Sequence, residues 1–483
     1  MDFKGLRDFI EICQELGEVR VVKGAGWDLE IGCIHELTAE GRGPLLLFDE
    51  IPGYPPGFRV CSNAFSTLRR TALALGLPQN LTPRETLGAW RKKIKEVRPV
   101  PPVEVKKAPI KENVLTGKDI DVFKFPAPRW HERDGGRYIG TGDVVITRDP
   151  DEGWLNLGVY RVALLDKDTL SLFINVGQQG RTIIEKYHAR GQSCPVAVCV
   201  GPDPILILAA SYRIRWGESE YDFAGGLQNQ SVEVTKGVAT DLLLPARGEI
   251  VFEGEIPPTD VKSCAEGPMG EWTGYMCGRF EEETGIAYAI KVKSILHMKD
   301  PIILGARCLK PPTPWFFALD VRTATAIWDQ LEAGGCRGIK GVWTHVFDTP
   351  TFTVIAIQQL YAGHAKQVGF AAASCDAAAN MGEFTIVVDD DIDITDIQDV
   401  LWALAMRCDV EKDMQVIRGI RASMLRPRVT HQVVKEKMPA VGPKLVFDAC
   451  KPFDWKQEFP AVNIFSPQYR QEIAKKWNIK KEQ

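Results

Sequence analysis

The sequence predicts an α+β protein built as an α/β segment, a strand-rich middle and a second α/β segment. Three observations predict it. Two proline-rich breaks, Arg98–Pro109 (RPVPPVEVKKAP) and Leu309–Pro314 (LKPPTP), divide the chain where fixed φ angles and missing N–H donors disfavour regular elements. Between the breaks, β-branched runs of strand length follow one another. Outside them, apolar residues at helical spacing alternate with short strands. The resulting segments are 1–109, 110–314 and 315–483, in keeping with a length of 483 residues at roughly 150 residues per domain.

Taken in order, Phe3, Leu6, Phe9, Ile10, Cys13 and Leu16 share one helical face opposite charged residues. That pattern predicts a folded docking helix and is unlike the apolar core of a signal peptide. Short strands such as Pro44–Phe48 follow, and the first segment closes with the basic amphipathic stretch Pro83–Val97. In the middle, DVVITR (143–148), LGVYRVALL (157–165), LSLFINV (170–176), VAVCV (196–200), EIVFEGEI (249–256) and IAYAIKVKSILH (286–297) are separated by Gly, Pro and Asp, predicting a β-barrel or sandwich. Beyond 315, a helix Ala318–Leu331 closes at Gly334-Gly335. Strands VWTHVF (342–347) and FTVIAIQQL (352–360) lead to an alanine-rich helix from about His364 to Met381. Strand FTIVVDDD (384–391) then enters a helix with a capping box at Thr395 and Gln398 and an apolar face of Val400, Leu401, Leu404 and Ala405.

Composition excludes several function classes. Lys plus Arg total 59 against 63 Asp plus Glu, so a net charge of −4 offers no basic excess for a nucleic-acid backbone. The longest apolar stretches, such as Pro204–Ala210, fall far short of the roughly 20 residues that cross a bilayer, so no membrane span is expected. The 12 cysteines are scattered without a CxxC pair and several sit in apolar strand-like runs, which fits reduced thiols in a cytoplasmic protein. The seven histidines form neither HExxH nor HxH, so any metal site draws on carboxylates or amides.

The most suggestive loop is EGPMGE, Glu266 to Glu271, where a Gly-Pro turn can return two carboxylates to one side as an acid and base pair; an exposed acidic turn is the plain alternative. In NLGVYR (156–161), an Arg within an apolar strand either finds a carboxylate or phosphate or sits at a strand end facing water. ESEYDFAGG (218–226) sets three acids before a double glycine that admits close backbone approach to a ligand, or else forms an acidic loop. The run Asp389, Asp390, Asp391 and Asp393 lacks the glycine and distal Glu of an EF-hand and reads as a strand end feeding a helix N-terminus. GQQGR (177–181) lacks the Walker Lys-Ser/Thr pair and the dinucleotide glycine spacing, so no nucleotide triphosphate site follows.

Five blocks in this order and at these separations, NLGVYR (156–161), SEYDFAGG (219–226), EGPMGEWTGY (266–275), YAGHAK (361–366) and VDDDID (388–393), resemble the UbiD family of prenylated-FMN-dependent decarboxylases over nearly the whole chain. The resemblance implies an N-terminal α/β domain, a central split β-barrel that binds the flavin, and a C-terminal α/β domain used in oligomerisation. It implies a catalytic set of Arg161, Glu266 and Glu271, with Glu271 as proton donor and Arg161–Glu266 as the supporting ion pair. It also implies a divalent metal, typically manganese, that holds the cofactor phosphate through Asn156, Glu220 and a histidine, with potassium nearby. Here the chain departs from the pattern: Gln179 stands where relatives commonly carry the histidine, so manganese in an oxygen-rich shell, another cation and a looser site all stay open. Thr141 and Lys444 match positions close to the flavin, completing a cofactor set with Asn156, Arg161, Gln179 and Glu220.

The implied substrates are an aromatic or polycyclic aromatic carboxylic acid and carbon dioxide, in a reversible reaction whose cofactor comes from a flavin prenyltransferase. A homo-oligomer, dimer or hexamer, is expected. Trp315, Phe316 and Phe317 form either an aromatic pocket wall or domain-interface core. The alternative function, prompted by the missing histidine, is a non-catalytic scaffold subunit of a multi-subunit aromatic carboxylase. Retention of Arg161, Glu266 and Glu271 favours the enzyme, and a metal-dependent hydrolase lacks its histidine ligands.

Overall fold

The amphipathic N-terminal pattern forms the helix Leu6–Glu15, which buries Leu6, Phe9, Ile10 and Cys13. Arg7 on its polar side donates from Nε and Nη2 to Glu249 at 2.9 and 2.8 Å, docking the helix onto the central sheet. This is a computed structural model that describes residues 3–175, 177–212, 214–258, 264–277, 285–311, 316–345, 351–379, 382–423, 425–428 and 441–479. The N-terminal sheet has four strands in the order Val19–Lys23, Leu45–Asp49, Arg59–Ser62 and Ile302–Leu304. Its fourth strand arrives from the end of the middle segment and pairs in parallel, Ile302 beside Arg59, so the first two segments share a sheet. Helix Pro83–Glu96 starts with a Thr82/Glu85 capping box. From it Arg91 reaches Asp329 at 2.7 Å, tying the first segment to the third.

The strand-like runs of the middle form one 10-stranded sheet that curls as a half-barrel. Its path runs Tyr138–Gly140, Arg161–Asp166, Thr169–Phe173, Gly285–His297, Ile250–Ile256, Cys194–Val200, Asp143–Arg148 and Leu155–Gly158. Pairing is antiparallel throughout that path, and register shifts at Thr169/Leu170 and Glu253/Gly254 supply the bulges that bend it. Cys194 and Cys199 are buried as small hydrophobes, and the described cysteines are free thiols. The apolar stretch Pro204–Ala210 forms a wholly buried helix capped by Asp203.

The C-terminal sheet has five strands in the order Ile339–His345, Phe352–Ile357, Phe384–Asp389, Val441–Ala449 and Met414–Arg421, with parallel pairs at its centre. Helices Phe316–Ala333, His364–Ser374 and Ile397–Arg407 pack on it. Among the described residues no helix is long and apolar enough to cross a membrane.

Several local expectations are corrected. The third-segment helix is capped by Asp396, whose carboxylate accepts from Gln398 N at 2.9 Å, while the Thr395 hydroxyl turns to Asp393; a carboxylate competes better for the exposed N–H than a hydroxyl. Its buried stripe is Val400, Ala403 and Arg407, whereas Leu401 and Ala405 are exposed. The alanine-rich helix breaks at Cys375, which is extended, into His364–Ser374 and Asp376–Ala379. Gly225 and Gly226 do not meet a ligand: a Cβ on either would lie 2.3 Å from the carbonyl of Val100 or Arg98, so the double glycine admits the linker backbone. Trp315 and the side chains of Phe316 and Phe317 lie outside the described residues.

Candidate active site

Arg161 opens one strand of the half-barrel, and Glu266 ends another. After Glu266 the Gly-Pro turn reverses the chain and Glu271 follows the short strand Met269–Gly270. The two carboxylates therefore converge on one guanidinium: Arg161 Nη2 donates to Glu266 Oε2 at 2.6 Å and Nη1 to Glu271 Oε1 at 2.5 Å. The side chains are 12%, 1% and 13% exposed for Arg161, Glu266 and Glu271, so the charges are largely removed from water and depend on one another. Burial opposes the Arg161 charge, but Glu271 and Glu266 outweigh it and hold the guanidinium above its usual value. Burial pushes the Glu271 carboxyl up, and the cations Arg161 and Arg307 only partly offset this. The Arg161 guanidinium also lies 4.1 Å from the Phe173 ring centroid, a cation–π contact that fixes its plane.

Sequence reasoning missed the residues behind this cluster. Tyr138, fully buried, donates its hydroxyl to Glu266 Oε1 at 2.7 Å. Arg307 and Asp134 form a buried ion pair at 2.7 Å beside the turn. Arg307 lies in the apolar run ILGARC, the same signal that singled out Arg161. Nothing in the sequence separates Tyr138 or Asp134 from ordinary core and turn residues.

A second cluster gathers Asn156, Gln179 and Glu220. Asn156 Nδ2 donates to Gln179 Oε1 at 3.1 Å and to Glu220 Oε1 at 3.3 Å, while Glu220 Oε2 accepts from Leu157 N at 2.7 Å. Gln179 and Glu220 are the first residues of the helices Gln179–Ala189 and Glu220–Gln228, the latter capped by Ser219. The donor set fits a hard divalent cation: among the described residues Asn156 Oδ1 is buried without a partner, burial pushes the Glu220 carboxyl up to about 8 against the hydrogen bonds it accepts, and Gln179 adds a carbonyl. Two helices begin there, and their N-termini also favour an anion such as phosphate. Among the described residues no group of three or more His, Cys, Asp or Glu has metal-binding geometry, so a cation held here would draw on amide oxygens as well.

The remaining sequence candidates have their hydrogen bonds to residues outside the two clusters. Thr141, buried, accepts from Ala306 N at 3.0 Å and ties the turn before Asp143–Arg148 to the chain after Ile302–Leu304. The Lys444 ammonium donates to the carbonyls of Ala373 and Ala378 at 2.9 Å each, and burial lowers it to about 8. These carbonyls flank the helix break at Cys375; Ala378 O also accepts from Gly382 N at 3.0 Å, so the ammonium is its second donor. In the acidic run, Asp389 and Asp391 are spent on Arg407, Lys451 and Lys456.

Comparison with known proteins matches the chain along nearly its whole length. The 3-octaprenyl-4-hydroxybenzoate carboxy-lyase N-terminal domain matches residues 10–90, its Rift-related domain 102–311 and its C-terminal domain 319–449. The phenolic acid decarboxylase of Sedimentibacter hydroxybenzoicus is 29% identical over 470 residues, covering 93% of this chain and 92% of that protein. The structure of the vanillic acid decarboxylase of the same organism in open form is 26% identical, with a TM-score of 0.85 over 99% of this chain and 100% of its own. An evolved dimeric form of a UbiD-class enzyme from Pelotomaculum thermopropionicum, in complex with prFMN, shares the fold at 24% identity and a TM-score of 0.79, over 97% of this chain and 98% of its own. With all three domain descriptions matched in order, the chain belongs to the UbiD family of carboxy-lyases.

Proposed function

We propose that the protein is a prenylated-FMN-dependent, reversible decarboxylase of aromatic carboxylic acids. The observation that carries the proposal is the single guanidinium of Arg161 shared between Glu266 and Glu271. When bound, prenylated FMN supplies the electron acceptor that loss of carbon dioxide from an sp² carbon requires. Arg161 pairs with the incoming carboxylate and orients the acid. Glu266, held by Tyr138 on its other oxygen, keeps the guanidinium aimed and neutralised. Glu271, whose raised affinity for a proton suits a general acid, delivers that proton to the carbon that has lost carbon dioxide and takes it back in the carboxylation direction.

Asn156, Gln179 and Glu220 would hold a divalent cation, manganese or another hard ion, which would neutralise the cofactor phosphate with potassium nearby. The names of the relatives, a phenolic acid decarboxylase and a prFMN complex, support the substrate class and the cofactor. The test is protein co-expressed with a flavin prenyltransferase: a released flavin with the mass of prenylated FMN, and turnover in a screen of vanillic and larger aromatic acids followed by carbon dioxide exchange. Glu271→Gln is expected to abolish turnover while leaving flavin bound. Full activity of that variant would remove Glu271 as donor. Folded protein that takes up no flavin when given manganese and potassium would point instead to the scaffold subunit.

A further inference from the structure

A buried ion pair outside the Arg161 cluster grips the chain between its two carboxylates. Arg307, 2% exposed, donates from Nη1 to Gly270 O at 2.8 Å and from Nη2 to Asp134 Oδ1 at 2.7 Å. Asp134, 5% exposed, accepts from His131 N on its other oxygen at 3.0 Å. Gly135 then donates its N–H to Pro268 O at 2.9 Å, and a Cβ on Gly135 would lie 1.9 Å from Gly267 O, so only glycine permits the approach. The turn is thus held at two carbonyls by residues remote in sequence. Burying both ions carries a desolvation cost that an apolar pair of the same volume would not incur. What the guanidinium adds is a fixed bond to the peptide that carries Glu271, and a second cation acting on that carboxylate after Arg161.

We propose that Arg307, held by Asp134, is a positioning residue for Glu271: it pins the Gly270–Glu271 peptide so that the carboxyl swings between Arg161 and the substrate on a fixed pivot. The inference rests on the reading of Glu271 as proton donor. In the resting arrangement Glu271 Oε1 lies 2.5 Å from Arg161, so delivering a proton requires it to leave that partner. With the preceding carbonyl held, the movement is confined to side-chain torsions, which preserves the reactive geometry. Among the described residues the charged groups facing Glu271 are Arg161, Arg307 and Glu266, with Asp134 and Tyr138 bonded behind them.

Three variants test the proposal in the loaded enzyme, on the acid turned over fastest in the screen above. Arg307→Lys keeps the charge and loses the two-pronged bond. Gly270→Ala changes no charge but sets a methyl 3.0 Å from Arg307 Nη2, displacing the guanidinium. Arg307→Met removes the charge. The first two are expected to lower kcat about tenfold or more, with KM and flavin content unchanged and the alkaline limb of the pH profile in place. Because a nearby cation favours the Glu271 carboxylate, its removal in Arg307→Met lets the proton persist to higher pH and moves that limb up by roughly one unit. Infrared titration of the carboxyl bands in unloaded protein, with Glu271→Gln assigning the band, reads the same shift without turnover. A residue that only stabilises the fold would lower flavin content and the yield of folded protein together and leave the limb unmoved. Wild-type kcat in both Arg307→Lys and Gly270→Ala would overturn the proposal even if Arg307→Met fails to fold. An inactive Glu271→Gln beside three wild-type-like variants removes the positioning role alone. A fully active Glu271→Gln removes the donor and the positioning role with it.

Discussion

Arg161→Met removes the one cation that two buried carboxylates share. In the wild type it lies 2.6 Å from Glu266 and 2.5 Å from Glu271. Taking one partner from a buried ion pair costs about 3–5 kcal/mol because the remaining charge is left desolvated. Here two carboxylates are left close together, so the upper end, about 5 kcal/mol, is expected near neutral to alkaline pH. The loss shrinks on acidification. Without the cation, burial and mutual repulsion raise the folded-state proton affinity of the acids above the unfolded value of about 4.3. The folded variant then binds more protons than the unfolded chain, so the stability conferred by proton binding is fully present below that unfolded value and is lost as pH rises through the raised one. The assay is urea unfolding of wild type, Arg161→Met and the triple variant Arg161→Met/Glu266→Gln/Glu271→Gln at about pH 8 and about pH 5. The single variant should recover about 1–3 kcal/mol at the lower pH, and the triple variant should recover most of the loss at both, because its amides carry no charge. A deficit below about 1 kcal/mol at the higher pH, or one identical at both, would refute the electrostatic dependence of the acids on Arg161.

Two further outcomes follow from the same network. Tyr138→Phe leaves Glu266 Oε1 without its buried donor and should cost about 1–3 kcal/mol, measured by urea unfolding; a neutral change would mean that water replaces the hydroxyl. Gln179→His should raise the manganese content of purified protein by elemental analysis, since a neutral imidazole is a stronger donor than an amide carbonyl, and an unchanged content would remove Gln179 from the metal shell.

The strands were legible because their chemistry is local: β-branched runs such as DVVITR and VAVCV alternate across a sheet with both faces covered, and the structure places them at Asp143–Arg148 and Cys194–Val200. The Glu266/Glu271 turn was legible for the same reason, since Gly and Pro mark a reversal within five residues. What the sequence hides is partnership across distance. Asp134 and Arg307 form a unit only because Ile302–Leu304, paired in the N-terminal sheet, brings the chain after it to the loop before Tyr138. The double glycine at Gly225-Gly226 is ambiguous in the same way: glycine signals close approach without saying what approaches, and here it is the linker carbonyls. Lys444 illustrates the converse, a short matching stretch whose side chain bonds two backbone carbonyls at a broken helix.

The asymmetry between the two acids supports their division of labour. One cation among three charged groups leaves the cluster with a net negative charge, which a buried site relieves most readily by binding a proton. Glu266 has an oxygen bonded to Arg161 and the other to Tyr138, so both are already occupied by donors. Among the described residues Glu271 has Arg161 on Oε1 as its side-chain donor, and its side chain is 13% exposed against 1% for Glu266. Glu271, whose other contact is a lesser backbone hydrogen bond from Trp272, therefore has both an oxygen more open to a proton and a path toward a substrate, whereas Glu266 has neither. A guanidinium shared between one fully engaged acid and one partly engaged acid can release the second without becoming an unpaired buried charge, because the first stays bonded to it. Two separate ion pairs would not allow this, since each release would strand a cation.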